Sequence, residues 1–391
     1  MPIVYPYTQY AGIWKLNAAS AAVGAGTWPV PPSIKLYSWG DNTYGQLGLN
    51  NTTSYSSPKQ ISSDIWSSVS SFGRSRNTLA IKTNGTLWSW GLNDYGQLGL
   101  GNTTTYSSPK QVGALTGWLK VSCGNYTGFA IKTNGTMWVW GGDPQAYGTL
   151  GLGNTTSYSS PKQLGSLTNW SGVASGFRAT IAVKTDGTLW TWGNNYLGSL
   201  GLNNTTNYSS PKQVGALTSW LKVACGYANM FAIKTDGTLW AWGDNIAGQL
   251  GLGNTTYSFS SPQQVGSLTN WSSISVGTGA NRGYSLSTKT DGTLWSWGPN
   301  QNGRLGLGNT TTYSSPKQVG SLTTWSVVSA GSFSSFAVTT NGTLYSWGQN
   351  SSGQLGLGNT TDYSSPKQVG SLTTWQAIAS GINFATGIAV N

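Results

Sequence analysis

The pair Trp-Gly recurs at Trp39, Trp90, Trp140, Trp192, Trp242, Trp297 and Trp347, so one phrase of about fifty residues is restated seven times between residue 34 and the end of the chain. A period of that length limits the fold to propellers, solenoids and arrays, because each copy is one supersecondary unit that buries its apolar face only against its neighbours. The punctuation inside a copy decides among them. Residues 118–122 (WLKVS) and 129–133 (FAIKT) are short β-prone runs, Asn134-Gly135 follows, and 136–140 (TMWVW) is a third run. Asn-Gly or Asp-Gly between two such runs marks a tight hairpin, since both turn residues must tolerate positive φ. The signal returns at Asn84, Asp186, Asp236, Asp291 and Asn341. A glycine-rich stretch (YGTLGLGNTT) then leads to SSPKQLG, whose proline suits an edge strand. Four antiparallel strands per copy at this period are propeller blades.

The first copy begins halfway. IKLYSWGDN at 34–42 lacks the lead that introduces every later copy, whereas the chain ends on WQAIASGINFATGIAVN, two strands with no hairpin or Trp-Gly after them. The two fragments complete each other. The expected fold is therefore all-β: a seven-bladed β-propeller of four-stranded antiparallel blades, its ring closed by pairing the N-terminal strand (34–39) with the C-terminal strands (375–390). Closure removes two open sheet edges, which would otherwise template aggregation. The domain division that follows is an N-terminal anchor or strap segment at 1–33 and the propeller at 34–391.

Composition removes most catalytic chemistry. Only 7% of the residues are charged, with no His and no Glu, so a hydrolytic triad or a His-based metal centre cannot be built. The nine Asp fall mostly in turns, including the hairpin residues Asp186, Asp236 and Asp291. The expectation is a protein that is not an enzyme and holds no cofactor and no metal. The net charge of +11 comes from lysines at fixed repeat positions, which spreads them around the ring and argues against nucleic-acid binding. Cys123 and Cys225 occupy one repeat position in two copies and are expected to be buried, unbridged thiols. No apolar run approaches the length of a membrane span. The N-terminus lacks the basic start of a secretory signal, which suggests a chain kept in the cytoplasm until it is assembled or released.

The recurring WGxNxxGQLGLGNTTxYSSPKQVGxLTxW, followed by FAIKTDGTLWxWG, resembles the repeat of the regulator of chromosome condensation family, which forms seven-bladed propellers. The resemblance spans all seven copies and implies the same fold. One departure stands out. The family usually carries a His soon after the Gly that ends the first strand, and here that stretch reads CGNYTGF, SGFRATI, CGYANMF, AGSFSSF and SGINFAT. This, with the absence of Glu and of a basic tail, argues against the guanine-nucleotide exchange role of the family's namesake.

Where the copies disagree, residues are released from building the blade. Two stretches vary: the one after the first-strand Gly and the one after Trp-Gly. All five arginines lie in them. Arginine and aromatic residues anchor interfaces, so Arg74, Arg76, Tyr126, Phe177, Arg178, Tyr227 and Arg282 are the expected partner-binding residues, with plain loop drift as the alternative. Residues 1–33 carry Tyr5, Tyr7, Tyr10, Trp14 and Trp28 ahead of the stiff Pro29, Pro31 and Pro32. The stretch YAGIWKLNAASAAVGAGTWP resembles short segments of tail and virion-associated proteins of bacterial viruses, which implies an assembly role for Tyr7, Tyr10, Trp14 and Trp28; packing on the ring as a strap is the alternative. The functional expectation is a structural and binding protein of a bacteriophage virion, oligomeric in the assembly. Other virion proteins or its own copies would be partners through the N-terminal segment, and a host surface receptor or glycan through the ring. The alternatives are an extracellular or bacterial cytoplasmic propeller that binds or inhibits proteins, as a secreted β-lactamase inhibitor of this fold group does, and a carbohydrate-binding propeller.

Overall fold

The computed structural model describes residues 34–279 and 282–390. Tyr7, Tyr10, Trp14 and Trp28 lie outside them. The chain divides into Met1–Ser33 and Ile34–Asn391, and only the second unit is described below.

The described residues of that unit form 28 strands arranged as seven four-stranded antiparallel sheets. We number the blades by sequence: blade 1 spans 66–111, blade 2 118–163, blade 3 170–213, blade 4 220–264, blade 5 275–318, blade 6 325–368, and blade 7 joins 375–390 to 34–60. Blade 2 is representative, with strands Trp118–Cys123, Thr127–Lys132, Met137–Gly141 and Tyr158–Gln163 in meander order. The first strand of each blade touches those of both flanking blades, and Trp375–Ser380 touches Trp66–Ser70 to complete the circle. These seven strands therefore surround the axis, and the strands that begin at tyrosine or, in blade 4, at Ser258 form the rim.

Ring closure has the expected form. Ile34–Gly40 pairs with Phe384–Val390 in continuous register from Ile34↔Val390 to Gly40↔Phe384, which gives the sheet order Tyr55–Gln60, Ile34–Gly40, Phe384–Val390, Trp375–Ser380. Each end of the propeller supplies two strands of one blade. Backbone hydrogen bonds between the ends thus hold the ring shut.

The hairpins show why Asn or Asp precedes Gly. In blade 2, Asn134 Oδ1 accepts the backbone N–H (3.1 Å) and hydroxyl (2.8 Å) of Thr136, whose Oγ1 in turn accepts Trp138 Nε1 at 3.2 Å. Gly135 sits at φ +76°, in the region open to residues without Cβ. In blades 1 to 5 a Lys precedes the turn and lies over a tryptophan face, as Lys234 does at 3.8 Å from Trp240; blade 6 has Thr339 at that position.

The core is divided among the spaces between blades. Strand alternation sends Leu87 one way, to pack with Trp118 and Trp140 of blade 2, and Trp90 the other way, to pack with Trp66 and with Leu36 and Ile388 of blade 7. Across every seam the Trp of Trp-Gly donates its indole N–H to a backbone carbonyl of the preceding blade. Trp90 donates to Gln46 O at 2.9 Å, Trp140 to Gln97 O at 2.9 Å, Trp192 to Thr149 O at 3.0 Å and Trp242 to Ser199 O at 3.0 Å. Trp297 donates to Gln249 O, Trp347 to Arg304 O and Trp39 to Gln354 O, so the set includes the closing seam. The Gly two residues beyond each carbonyl supports the indole: a Cβ on Gly48 would lie 2.7 Å from Trp90 Nε1.

Trp242 and Trp240 share a strand but differ in this bond. Trp242→Phe removes the buried staple and strands the Ser199 carbonyl, which should cost about 2–4 kcal/mol. Trp240 is half-buried and donates only to Thr238 of its own hairpin, so Trp240→Phe should cost about 1 kcal/mol. Urea denaturation of both variants checks the order, and equal losses would show that the staple contributes nothing beyond ring volume.

Candidate recognition face

Both variable stretches emerge at the same end of the ring, since backbone bonds tie them together within each blade. Leu92 N–H donates to Arg76 O, Gly142 to Tyr126 O, Asn194 to Arg178 O and Asp244 to Ala228 O, each at 2.9 Å. Their freedom is unequal. The second residue after Trp-Gly is buried in all seven blades and organises the loop: Asn93 Oδ1 accepts Leu98 N–H at 2.9 Å while its Nδ2 donates to the carbonyls of Asn102 and Thr104. This position varies little because it is structural. The first-strand loops are the freer set.

One of these loops closes the axis. Residues 71–76 form the longest lead of any first-strand turn apart from that of blade 5, and Gly73 lies so close to blades 5 and 6 that a Cβ on it would fall 2.8 Å from Thr278 Oγ1 and 3.1 Å from the Gly331 carbonyl carbon. Arg74, next along, lies over Phe177 of blade 3 at 4.8 Å and Tyr227 of blade 4 at 5.3 Å. A loop of blade 1 meets blades 3, 4, 5 and 6 only by crossing the axis. Neighbouring mouths are also laced together, Asn125 N–H donating to Gly176 O at 3.2 Å, Phe177 to Gly226 O at 3.1 Å and Ile382 to Ser75 O at 3.1 Å.

Around this cap the structure assembles most of the expected site. Phe177 and Tyr227 stack at 4.6 Å with 21° between their planes, Tyr126 lies 6.5 Å from Phe177, and Arg178 lies 4.5 Å from the Phe177 centroid. Arg74, Tyr126, Phe177, Arg178 and Tyr227 thus form one half-buried patch. Arg76 belongs to a separate contact, over Tyr44 of blade 7 at 4.9 Å. Arg282 is exposed and acts electrostatically on Asp244.

Sequence reasoning missed the partners from the Trp-Gly loops. Tyr44 meets Arg76, Tyr95 meets Tyr126 at 4.7 Å, and Tyr147 meets Arg178 at 5.5 Å, each pair bridging successive blades. The available signal was the Tyr that precedes Gly in DNTYG, LNDYG and PQAYG. The fifth arginine, Arg304, has a different fate. It is 1% exposed, donates from Nε to Pro299 O at 2.8 Å and lies over Tyr284 at 5.1 Å. Burial lowers its pKa to about 10, so it remains charged at neutral pH. The cysteines are buried and unbridged, and desolvation pushes the Cys123 thiol up to about 12 and the Cys225 thiol upward as well. Among the described residues no group of three His, Cys, Asp or Glu side chains is placed to hold a metal ion.

The profile of the RCC1-like domain matches residues 35–387. The chain belongs to the RCC1-like domain family. It is 30% identical to the human E3 ubiquitin-protein ligase HERC2 over 183 residues, 45% of this chain and 4% of that protein. It is 33% identical to the Arabidopsis thaliana ultraviolet-B receptor UVR8 over 174 residues, 41% of this chain and 37% of that one. The matches therefore span well under half the length of these relatives. In three dimensions it is similar to yeast RCC1 (Prp20), with a TM-score of 0.81 at 22% identity over 92% of this chain and 90% of that one. Human WBSCR16 gives a TM-score of 0.79 at 19% identity over 91% and 99%. At such identities the structural likeness speaks for the fold.

Asp244 gives the face a measurable electrostatic signature. Burial raises its carboxyl pKa above 3.8, opposed by the Ile246 N–H and by Arg282. A carboxyl with a raised folded pKa binds its proton more tightly in the native state, so stability falls as pH rises from the unfolded value through the folded one and stays lowered above it. Asp244→Asn should therefore raise Tm at pH 7, and the gain should shrink as pH falls through that window. A gain that is constant from pH 7 to pH 3.5 would contradict the assignment.

Proposed function

We propose that this chain is a non-enzymatic binding protein that recognises a protein partner through the patch of Arg74, Tyr126, Phe177, Arg178 and Tyr227 at the capped mouth of the ring. The observation that carries the reading is the stacked Phe177–Tyr227 pair with Arg74 above it, at the centre of the face where the seven copies diverge. Half-buried aromatic and arginine side chains grouped centrally are what interface hot spots are made of. The yeast relative Prp20 supports binding as the mode of action, having been described bound to Kap60 and for its binding to Gsp1p and histones. A photocrosslinking residue placed at Tyr227 should yield one discrete protein adduct in extracts of the native source, and Phe177→Ala should abolish that adduct while the ring stays folded. Equal labelling from Gln163 on the rim, or an adduct that survives Phe177→Ala, would overturn the reading. An adduct that carries carbohydrate would favour glycan recognition instead, which the exposed Tyr196 and Tyr257, both 57% accessible, also suggest.

For residues 1–33 we propose an assembly role in a bacteriophage virion, resting on the aromatic residues Tyr7, Tyr10, Trp14 and Trp28 and on the segment's likeness to virion-associated proteins. The segment would join the chain to other virion proteins or to its own copies and leave the propeller displayed for contact with a host. Light scattering of the full chain and of a chain that starts at Ser33 tests this. The full chain should assemble, the shorter one should remain a folded monomer, and Trp14→Ala with Trp28→Ala should reproduce the shorter chain. Identical monomers would refute assembly through this segment.

A further inference from the structure

Blade 2 breaks the rules of its own repeat at three points that meet. Its Trp-Gly loop is two residues longer than that of blade 1, with Ala146 at φ +54°. The organising Asn is Asp143, whose Oδ2 accepts the N–H of Gly148 and, at 3.1 Å, that of Thr149. The residue whose carbonyl takes the staple is Thr149, where blades 1, 4, 6 and 7 have Gln97, Gln249, Gln354 and Gln46. In those blades the glutamine fills the loop interior, its Oε1 accepting the N–H two residues earlier: Tyr95 at 2.9 Å, Ala247 at 2.9 Å, Ser352 at 2.8 Å and Tyr44 at 2.8 Å. The shorter threonine leaves that interior unfilled. A recess of about 10 Å³ lies there, lined among others by Tyr126, Asp143, Thr149, Phe177 and Arg178. That is room for a single oxygen atom.

Two groups at the recess have no hydrogen-bond partner among the described residues: Arg178 Nε and the hydroxyl of Thr149, a residue 6% exposed. Buried polar atoms are nearly always paired, so each such vacancy asks what pairs it. Arg178 makes no ion pair among the described residues; the one pair there joins Lys82 of blade 1 to Asp64 just before that blade. Its contacts are to the faces of Phe177 and Tyr147, which leave the in-plane N–H groups unused. The unmet groups comprise an N–H that only donates and a hydroxyl that can do so, beside a guanidinium, with Arg74 above the same Phe177 ring as a second positive charge. The Asp143 carboxylate is turned onto two backbone amides.

We propose that this recess is the anchor point for an acidic side chain of the partner, with one carboxylate oxygen seated between Arg178 Nε and Thr149 Oγ1. The assignment rests on the recognition face proposed above and adds the charge of its partner. A carboxylate satisfies both donors and the guanidinium charge together, which gives the short, charge-assisted bonds that neutral acceptors do not. Blades 1, 4, 6 and 7 cannot offer this site, because their glutamine occupies it.

The test uses the full chain and sodium propionate as a stand-in for an acidic side chain. The Arg178 Nε–H signal is identified by its loss in Arg178→Lys, and its shift is followed as propionate is added at constant ionic strength. We expect a saturable shift with a half-point of ~10 mM, the weak range open to a fragment this small. Propionamide should need at least tenfold more, and Thr149→Gln, which installs the residue blades 1, 4, 6 and 7 already carry, should abolish the shift while leaving the fold intact. No saturable shift by ~200 mM, equal responses to propionate and propionamide, or an undiminished response in Thr149→Gln would each overturn the proposal. The Tyr227 adduct separates the two readings. Its persistence in Thr149→Gln at full yield would leave the face standing without this anchor, whereas propionate binding with no adduct would leave the anchor without the face.

Discussion

The indole N–H of one blade bonded to a backbone carbonyl of the blade before it is the contact on which the rest of the ring depends. It is buried, it is made at all seven seams, and it joins sheets that share no strand pairing with each other. Much of the repeat follows from it. The glycine under each indole must lack a Cβ, and the buried Asn or Asp after Trp-Gly holds the loop that presents the carbonyl. Because the acceptor is main chain, the side chain at that position is free to be Gln, Thr, Ser or Arg without loss of the bond. This is how Arg304 and Thr149 came to stand where a glutamine usually does, one filling the site with a buried cation and the other leaving it empty.

The fold was legible for physical reasons. Period-two alternation, Asn-Gly or Asp-Gly turns and the complementary halves at 34–60 and 375–390 are local signals, and all agree on one architecture. The site was legible in composition but not in arrangement. Arg178 and Arg304 are the same residue type in stretches that both vary, yet one stands half-exposed at the mouth and the other is sealed beneath Tyr284. Which of the two depends on whether the residue follows the first-strand Gly or sits at the staple carbonyl, a distinction that only the seam geometry reveals. The recurrence of Tyr44 and Tyr147 before a Gly is readable in the sequence, but their pairing with Arg76 and Arg178 is not, because it links residues about thirty positions apart across two blades.

The rim is handled separately from the face. Each outermost strand carries a proline, from Pro58 to Pro366, and six of the seven carry a lysine that folds over the tyrosine beginning the same strand, as Lys110 does at 5.4 Å from Tyr106. Proline and lysine on an edge discourage pairing with another sheet. The net charge of +11 is therefore in large part a property of the rim and of the lysines that cover the hairpin tryptophans. It says little about what the molecule binds. Of the arginines at the axial end, Arg74, Arg76 and Arg178 are set on aromatic rings, and on the reading proposed above these are the charges that bear on recognition.

That choice of support matters to what the arginines can still do. A guanidinium held by a carboxylate spends its N–H groups and its charge on that partner. One held against a ring face is positioned through its π surface, and its hydrogen-bonding edge stays directed outward. Arg178, flanked by Phe177 and Tyr147, is held in this second way. The aromatic residues therefore fix the cation and leave it unneutralised, while the closed seven-blade ring beneath keeps them in place. A face built so loses little side-chain freedom when a partner arrives, which is where much of the free-energy cost of binding would otherwise fall.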